Sequence, residues 1–345
     1  MMSDPALETL VWPFIEGRLQ WPQSGALFLR ARDGWPLRQR AWPGLVCEQT
    51  FKPDADALVR AGFEVRTETQ NERRQFPLVM LLPPRQRDEA RALMARAIEA
   101  TAEGGRVIAS MSNNEGARSG EADLEKLAGP LEVASKNKCR VFWTSNLGDN
   151  IDRTLLSKWR ELDAVRAIEN GRFVSRPGVF AWDRIDVASA LLAENLPNDL
   201  AGRAADLGAG FGFLSVELLT RCPDIRALDL YEAEHRALEL ARVNLAPFAD
   251  RTMLGFHWHD VTAGLQSKYE VIVTNPPFHA QRGIDRPDIG RRFISVAAEA
   301  LKPAGRLWLV ANRHLPYEAV LTTQFGTVRV VTEARGFKVI EGVKR

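Results

Sequence analysis

Cysteine is scarce and scattered. Cys47, Cys139 and Cys222 are the only three thiols, and none stands in C-x-x-C spacing. That excludes a cysteine zinc cluster and a disulfide framework, and it suits a reducing compartment, so a cytoplasmic protein is expected. No uninterrupted apolar run reaches the ~18 residues that a membrane span needs. Met1-Met2-Ser3-Asp4-Pro5 carries no basic stretch followed by an apolar core, so no secretory signal is expected. Charge of one sign is also lacking. Lys and Arg total 46 against 44 Asp and Glu, a net +2, which permits a nucleic-acid partner without demanding one. The five histidines include a single His-x-His, His257 and His259; no metal site is expected.

What is present is ordinary in bulk and organised in detail. The 345 residues are 45% hydrophobic and 26% charged, a globular balance with room for two domains. In the first half, residues 25–32 read as a buried strand ending at the turn dipeptide Asp33-Gly34. Residues 76–82 read as a core strand stopped by Pro83-Pro84. Residues 87–102 read as a helix with Ala90, Leu93, Met94, Ala97 and Ile98 on one face, and 106–110 and 139–144 as strands. Residues 149–169 read as a connecting segment, with a boundary near 145–153 that gives domains 1–150 and 151–345.

The second half alternates more regularly. A hairpin is expected around Arg176-Pro177-Gly178, then a helix over 186–195. From Ala204 the order is strand, glycine turn, helix, strand, helix, with further strands at 255–259, 271–274 and 306–310. A closing antiparallel pair flanks Arg335-Gly336. Such alternation predicts right-handed βαβ units and a largely parallel α/β sheet. A weak internal repeat runs through both halves. Leu78-Val79-Met80-Leu81-Leu82-Pro83-Pro84 echoes Val271-Ile272-Val273-Thr274-Asn275-Pro276-Pro277, and Gly105-Arg106-Val107-Ile108-Ala109 echoes Gly305-Arg306-Leu307-Trp308-Leu309. In this register Leu82 stands where the later copy has Asn275, so the first half reads as a duplicate without the chemistry.

Two motifs carry that chemistry. Asp206-Leu207-Gly208-Ala209-Gly210-Phe211-Gly212 is a strand-to-helix turn in which glycines let a ligand approach the backbone. Its G-x-G-x-G spacing departs from the dinucleotide fingerprint G-x-G-x-x-G. Asp206 disfavours a phosphate there and suits an ammonium or hydroxyl group. Asp229 and Glu232 are both candidates to accept from a ribose diol, with Glu232 closer to the strand's carboxyl end, and Asp260 could accept from an adenine amine. Asn275-Pro276-Pro277-Phe278 follows a core strand. The Asn275 amide oxygen and the Pro276 carbonyl can accept from one –NH2 group, and Phe278 offers a face for a flat base. Together the motifs point to methyl transfer onto a planar nitrogen.

The Asp-x-Gly-x-Gly-x-Gly turn followed by Asn-Pro-Pro-Phe resembles class I S-adenosylmethionine-dependent methyltransferases of the amino-group type. With Arg176-Pro177-Gly178-Val179-Phe180 and Asp186, Ala311-Asn312-Arg313-His314-Leu315-Pro316-Tyr317 and Phe337-Lys338-Val339, it resembles the RsmC-type small-subunit ribosomal RNA guanine-N2 methyltransferases and their large-subunit RlmG-type relatives. The resemblance covers residues 172–339; the first half matches only loosely.

The resemblance implies two Rossmann-like methyltransferase domains in tandem. The amino-terminal one would be degenerate and assist folding and RNA engagement. The carboxyl-terminal one would hold a seven-stranded, mostly parallel sheet with an antiparallel last strand. It implies S-adenosyl-L-methionine at Asp206, Gly208, Gly210, Gly212, Glu232 and Asp260, a target base at Asn275, Pro276 and Phe278, and RNA near Phe180, His279, Arg282 and Arg313. The expected activity is methylation of a guanosine N2 amine in ribosomal RNA, most simply 16S RNA of the small subunit, by a monomer without metal. A 23S guanine, an adenine N6 and a protein glutamine present the same planar amine. A non-catalytic RNA-binding protein on this scaffold is opposed by the intact Gly208, Gly210, Gly212 and Asn275. Arg73, Arg74, Arg85 and Arg87, and Arg282, Arg286, Arg291 and Arg292, are two clusters that could meet phosphates or simply face solvent.

Overall fold

Short runs of apolar residues punctuated by glycine and proline set the strands of this chain. The computed structural model describes residues 4–67, 75–277 and 287–345. Two compact units, Met1–Val165 and Arg166–Arg345, each contain a seven-stranded sheet. Counting the strands of each sheet along the chain, both have the spatial order 3-2-1-4-5-7-6.

In the second unit, strand order runs from Met253–Trp258 through Ile225–Glu232, Gly202–Leu207, Tyr269–Thr274, Leu301–Asn312 and Phe337–Val343 to Thr327–Ala334. The first five are parallel and the last two antiparallel to their neighbours. Parallel strands are covered on both faces and need continuous apolar runs, which Val271, Ile272 and Val273 supply, all buried. The closing hairpin turns at Arg335 and Gly336, with φ of 56° and 84°, the left-handed pair of a two-residue hairpin. One core face collects Leu192, Leu214, Leu218, Leu228 and Val271, and the other collects Ala205, Ile272, Ile294, Leu307 and Tyr317.

The first unit repeats this plan with Glu64–Arg66, Leu45–Glu48, Ala26–Leu29, Phe76–Leu81, Thr101–Ser112, Cys139–Thr144 and Leu131–Lys136. The helix Arg87–Ala100 and strand Thr101–Ser112 match Pro287–Ala300 and Leu301–Asn312 in length, 14 and 12 residues each. The backbone bonds closing the edge also correspond: Asn113 N–H to the Lys138 carbonyl, 2.9 Å, against Arg313 N–H to Gly336, 3.0 Å.

Three expectations need correction. The units divide at Val165/Arg166, not near 150. The supposed connecting segment contains the helix Arg153–Arg160, whose Leu156 and Trp159 are buried with Met94 and Ile98 in the first core. The hairpin joins Arg166–Ile168 to Phe173–Ser175, so Arg176-Pro177-Gly178 lies beyond it. The left-handed residues that allow its turn are Glu169, Asn170 and Gly171, with φ of 49°, 56° and 85°. The amino-terminal segment is helical over Pro5–Ile15, capped by Asp4, with Pro at a tolerated first-turn position.

Candidate active site

The order reverses between Gly202–Leu207 and Tyr269–Thr274, and a doubly wound sheet offers its ligand crevice at that switch, beyond the strands' carboxyl ends. Leu207 pairs with Thr274, so Gly208 and Asn275 leave the sheet side by side. A Cβ placed on Gly208 would lie 4.0 Å from the Asn275 carbonyl oxygen. Glu232, Asp260 and Arg313 emerge from or just past neighbouring strands at the same edge.

The three glycines serve different needs. All have left-handed φ, 74°, 56° and 90° for Gly208, Gly210 and Gly212. A Cβ on Gly212 would meet Leu245 at 2.6 Å, so this position is small because the helix His235–Leu245 packs closely against it. At Gly210 nothing lies within 4 Å among the described residues, so a side chain there would enter open space. The turn is tied to the next strand by Glu232. Its Oε2 accepts from Gly210 N–H at 2.7 Å and its Oε1 from Glu234 N–H at 2.7 Å. Each oxygen keeps a further lone pair. Burial raises the carboxyl pKa above its ordinary value, partly offset by those backbone donors.

Asp206 lies under the turn, fully buried. Ser215 Oγ donates to its Oδ2 at 2.7 Å, while Oδ1 has no partner among the described residues. Burial pushes this carboxyl up to about 7, Ser215 pulls it back, and the nearby Glu232 charge adds to the rise. Asp260 caps a short turn: its Oδ1 accepts from Thr262 N–H at 2.9 Å and Thr262 Oγ at 2.7 Å. Asp229, the other acid weighed for a ribose, is occupied by Arg203, Tyr269 and His257 at 2.6, 2.9 and 2.9 Å. Its neighbours in that network are on strands, not at the crevice rim.

Asn275 is held from behind. Its Nδ2 donates to Asp186 Oδ2 at 2.9 Å and to Ser189 Oγ at 2.8 Å, and its Oδ1 is buried with no partner among the described residues. Pro276 is buried and Pro277 exposed. Phe180 stands 66% exposed, and Arg313 and His314 are exposed beyond the strand Leu301–Asn312. Lys338 is buried and donates to the Leu315 carbonyl at 3.1 Å, with Glu318 as its ion-pair partner, which fixes the segment bearing Arg313. Phe278, His279 and Arg282, together with Arg73, Arg74 and Arg286, lie outside the described residues. Sequence reasoning missed Ser189, Ser215 and the Asn275 bond of Asp186. The one available signal was Asp186 three residues before Ser189, a helix-capping spacing. Among the described residues no group of three or more His, Cys, Asp or Glu could hold a metal, and no helix is long and apolar enough to cross a membrane.

The fold and the activity have relatives among known proteins. A family model for the methyltransferase small domain matches residues 170–341. The ribosomal RNA small subunit methyltransferase C of Shewanella loihica is 30% identical over 268 residues, 76% of this chain and 76% of its own length. The chain belongs to the ribosomal RNA small subunit methyltransferase C family. The Psychromonas ingrahamii member of that family is 27% identical over 274 residues, 79% of this chain and 77% of the relative. A solved T. thermophilus structure, described as 16S rRNA N2 G1207 methyltransferase (RsmC) in complex with AdoMet and guanosine, superposes with a TM-score of 0.80. It is 25% identical and covers 99% of this chain and 92% of its own. The protein is therefore an S-adenosylmethionine-dependent methyltransferase with two sheets of the methyltransferase type. The residues present fit that cofactor: open space at Gly210, a carboxylate with spare lone pairs at Glu232 and, among the described residues, an unpartnered buried oxygen on Asp206.

Proposed function

We propose that this chain methylates the exocyclic N2 amine of a guanosine in 16S ribosomal RNA, the class of target that names the T. thermophilus relative. The observation that carries this reading is the Asn275 amide. Both of its N–H groups are engaged behind it, and its buried oxygen has no donor among the described residues. An exocyclic amine offers two N–H donors and a lone pair delocalised into its ring. Asn275 Oδ1 and the Pro276 carbonyl accept those N–H groups, which orients the amine and favours pyramidal nitrogen before attack. S-adenosylmethionine supplies, when bound, a methyl group on positively charged sulfur.

Around that group, Glu232 accepts from the ribose hydroxyls with its spare lone pairs, Asp260 accepts from the adenine amine, and Gly208, Gly210 and Gly212 keep the turn open. Asp206 sets an acceptor oxygen, its Oδ1, unpartnered among the described residues, beneath the methionine end. Phe278 stacks on the base, which has to leave any helix it belongs to. Phe180, His279, Arg282 and Arg313 meet the surrounding RNA. The first unit is a degenerate copy that serves folding and RNA engagement, and the protein works as a monomer in the cytoplasm. The test is transfer of labelled methyl to ribosomal RNA or small-subunit particles from a strain lacking the gene, followed by mass spectrometry of the nucleosides. Labelled N2-methylguanosine in 16S RNA is expected. Label in 23S RNA, adenine or glutamine would reassign the acceptor, and absence of label from every acceptor would overturn the reading.

A further inference from the structure

The Asn275 amide could face the crevice in either sense, and the two senses read opposite chemistry. With oxygen forward the site accepts from an amine; with nitrogen forward it donates to a carbonyl. Guanine carries both an amine and a carbonyl on its six-membered ring, so the sense matters. Asp186 decides it, with Ser189 taking the second N–H. A carboxylate oxygen only accepts, and Asp186 Oδ2 faces Asn275 Nδ2 at 2.9 Å while Ser189 Oγ takes the second N–H at 2.8 Å. A flipped amide would set its oxygen against the Asp186 carboxylate oxygen and forfeit that bond, leaving only Ser189, whose hydroxyl can turn to donate.

Asp186 is itself immobilised. It is the N-cap of the helix Val187–Asn195, its Oδ2 accepting from Ser189 N–H at 2.8 Å. That helix is anchored by buried Ala188, Leu191 and Leu192. The first helical turn thus presents two acceptors in one direction, 86 and 89 residues upstream of the side chain they hold.

We infer that Asp186 and Ser189 are positioning residues that lock Asn275 with its oxygen toward the substrate, so that the site selects an N–H donor and rejects a carbonyl at that place. The inference rests on the methyl-transfer reading above. Its separate content is the sense of the amide and the residues that impose it.

The test uses the full chain with Asp186→Gly, Ser189→Ala, Asn275→Ala and the double variant Asp186→Gly/Asn275→Ala. One Asp186 oxygen serves both Ser189 N–H and Asn275 Nδ2, so an Asn there could keep its own oxygen in that place and hold the amide as before. Gly removes the acceptor and is itself a tolerated helix N-cap. Expected for Asp186→Gly is a kcat on 16S RNA lowered about 30- to 100-fold, with the Kd for S-adenosylmethionine within twofold and a thermal midpoint close to that of the wild type. Ser189→Ala lowers kcat several-fold. In the double variant Asp186→Gly adds no further loss to that of Asn275→Ala, because it acts through that side chain. Wild-type kcat in Asp186→Gly, or losses that multiply in the double variant, would overturn the lock. The side-chain amide protons of Asn275, followed by NMR with 15N-labelled asparagine, give an arm independent of turnover. They exchange slowly in the wild type and quickly in Asp186→Gly; identical exchange would overturn the lock. A wild-type protein that transfers no methyl, yet shows the protected amide, would sink the functional reading and leave the lock standing.

Discussion

The two units share one sheet order and differ at the positions proposed above to meet the ligand. Strand pairing aligns them. Leu29 pairs with Leu81 and Glu48 as Leu207 pairs with Thr274 and Tyr231. Counting from those pairs, Phe28 corresponds to Asp206, Arg30 to Gly208, Arg32 to Gly210, Gln49 to Glu232 and Leu82 to Asn275.

Arg30 keeps the left-handed backbone of its glycine counterpart, φ 52° against 74°, and spends its side chain on Glu89 at 2.7 Å. Gln49 keeps the task of tying the two loops. Its Oε1 accepts from Thr50 and Phe51 N–H, but its Nε2 donates to the Ala31 carbonyl, where Glu232 accepts from Gly210 N–H. The comparison teaches that the fold needs only the backbone path and its ties. The proposed chemistry needs open glycines, a carboxylate and one amide oxygen.

Making the second copy resemble the first is the sharpest way to break this comparison. Gly210→Arg reproduces Arg32 at the open cradle. A folded protein with S-adenosylmethionine affinity lowered more than a hundredfold is expected by calorimetry, and near-normal binding would show that the cradle is elsewhere. Glu232→Gln reproduces Gln49. Loss of one charge and reversal of one hydrogen bond should weaken the cofactor about 10- to 100-fold, since hydrogen bonds to charged groups contribute roughly 1.5–3 kcal/mol. A Kd unchanged within twofold would remove Glu232 from the site.

Asp206→Asn tests stability against pH. Phe28 shows that the corresponding place tolerates an uncharged group. The folded-state pKa of Asp206 is raised from 3.8 to about 7, chiefly by burial. The stability tied to its proton is therefore fully present below pH 3.8 and lost as pH rises through about 7. Asn carries no such loss, so its thermal midpoint relative to the wild type should climb between pH 4 and pH 8. A difference independent of pH would contradict the buried acid. The smallest effect belongs to Arg30→Gly. Relief of a left-handed non-glycine residue, worth about 1 kcal/mol, opposes loss of a half-exposed ion pair worth about 0–1 kcal/mol. Denaturant midpoints should hardly move, whereas a large drop would mean that Arg30 supports its unit in some other way.

Much of this was legible in the residues because the relevant signals are local. Gly208, Gly210 and Gly212 sit within five positions of one another, and Asn275-Pro276-Pro277-Phe278 is contiguous; period and punctuation placed both at strand ends. The echo between residues 78–84 and 271–277 was legible for the same reason. What was not legible is long-range or hidden by a plausible local alternative. Asp186 looked like a cap and is one, but its second bond reaches Asn275 across 89 residues. Arg176-Pro177-Gly178 outbid Asn170-Gly171 as a turn, although the strand pairing of Ile168 with Phe173 uses the latter. The helix Arg153–Arg160 was obscured by its polar surface, since it buries only Leu156 and Trp159.

The central claim is that methyl transfer rests on the Asn275 amide oxygen, and single-turnover transfer by Asn275→Ala tests it most directly. With cofactor binding verified in the same sample, the rate on 16S RNA should fall about a thousandfold, comparable to removing one preorganised polar group in other active sites. Transfer at the wild-type rate would contradict the account.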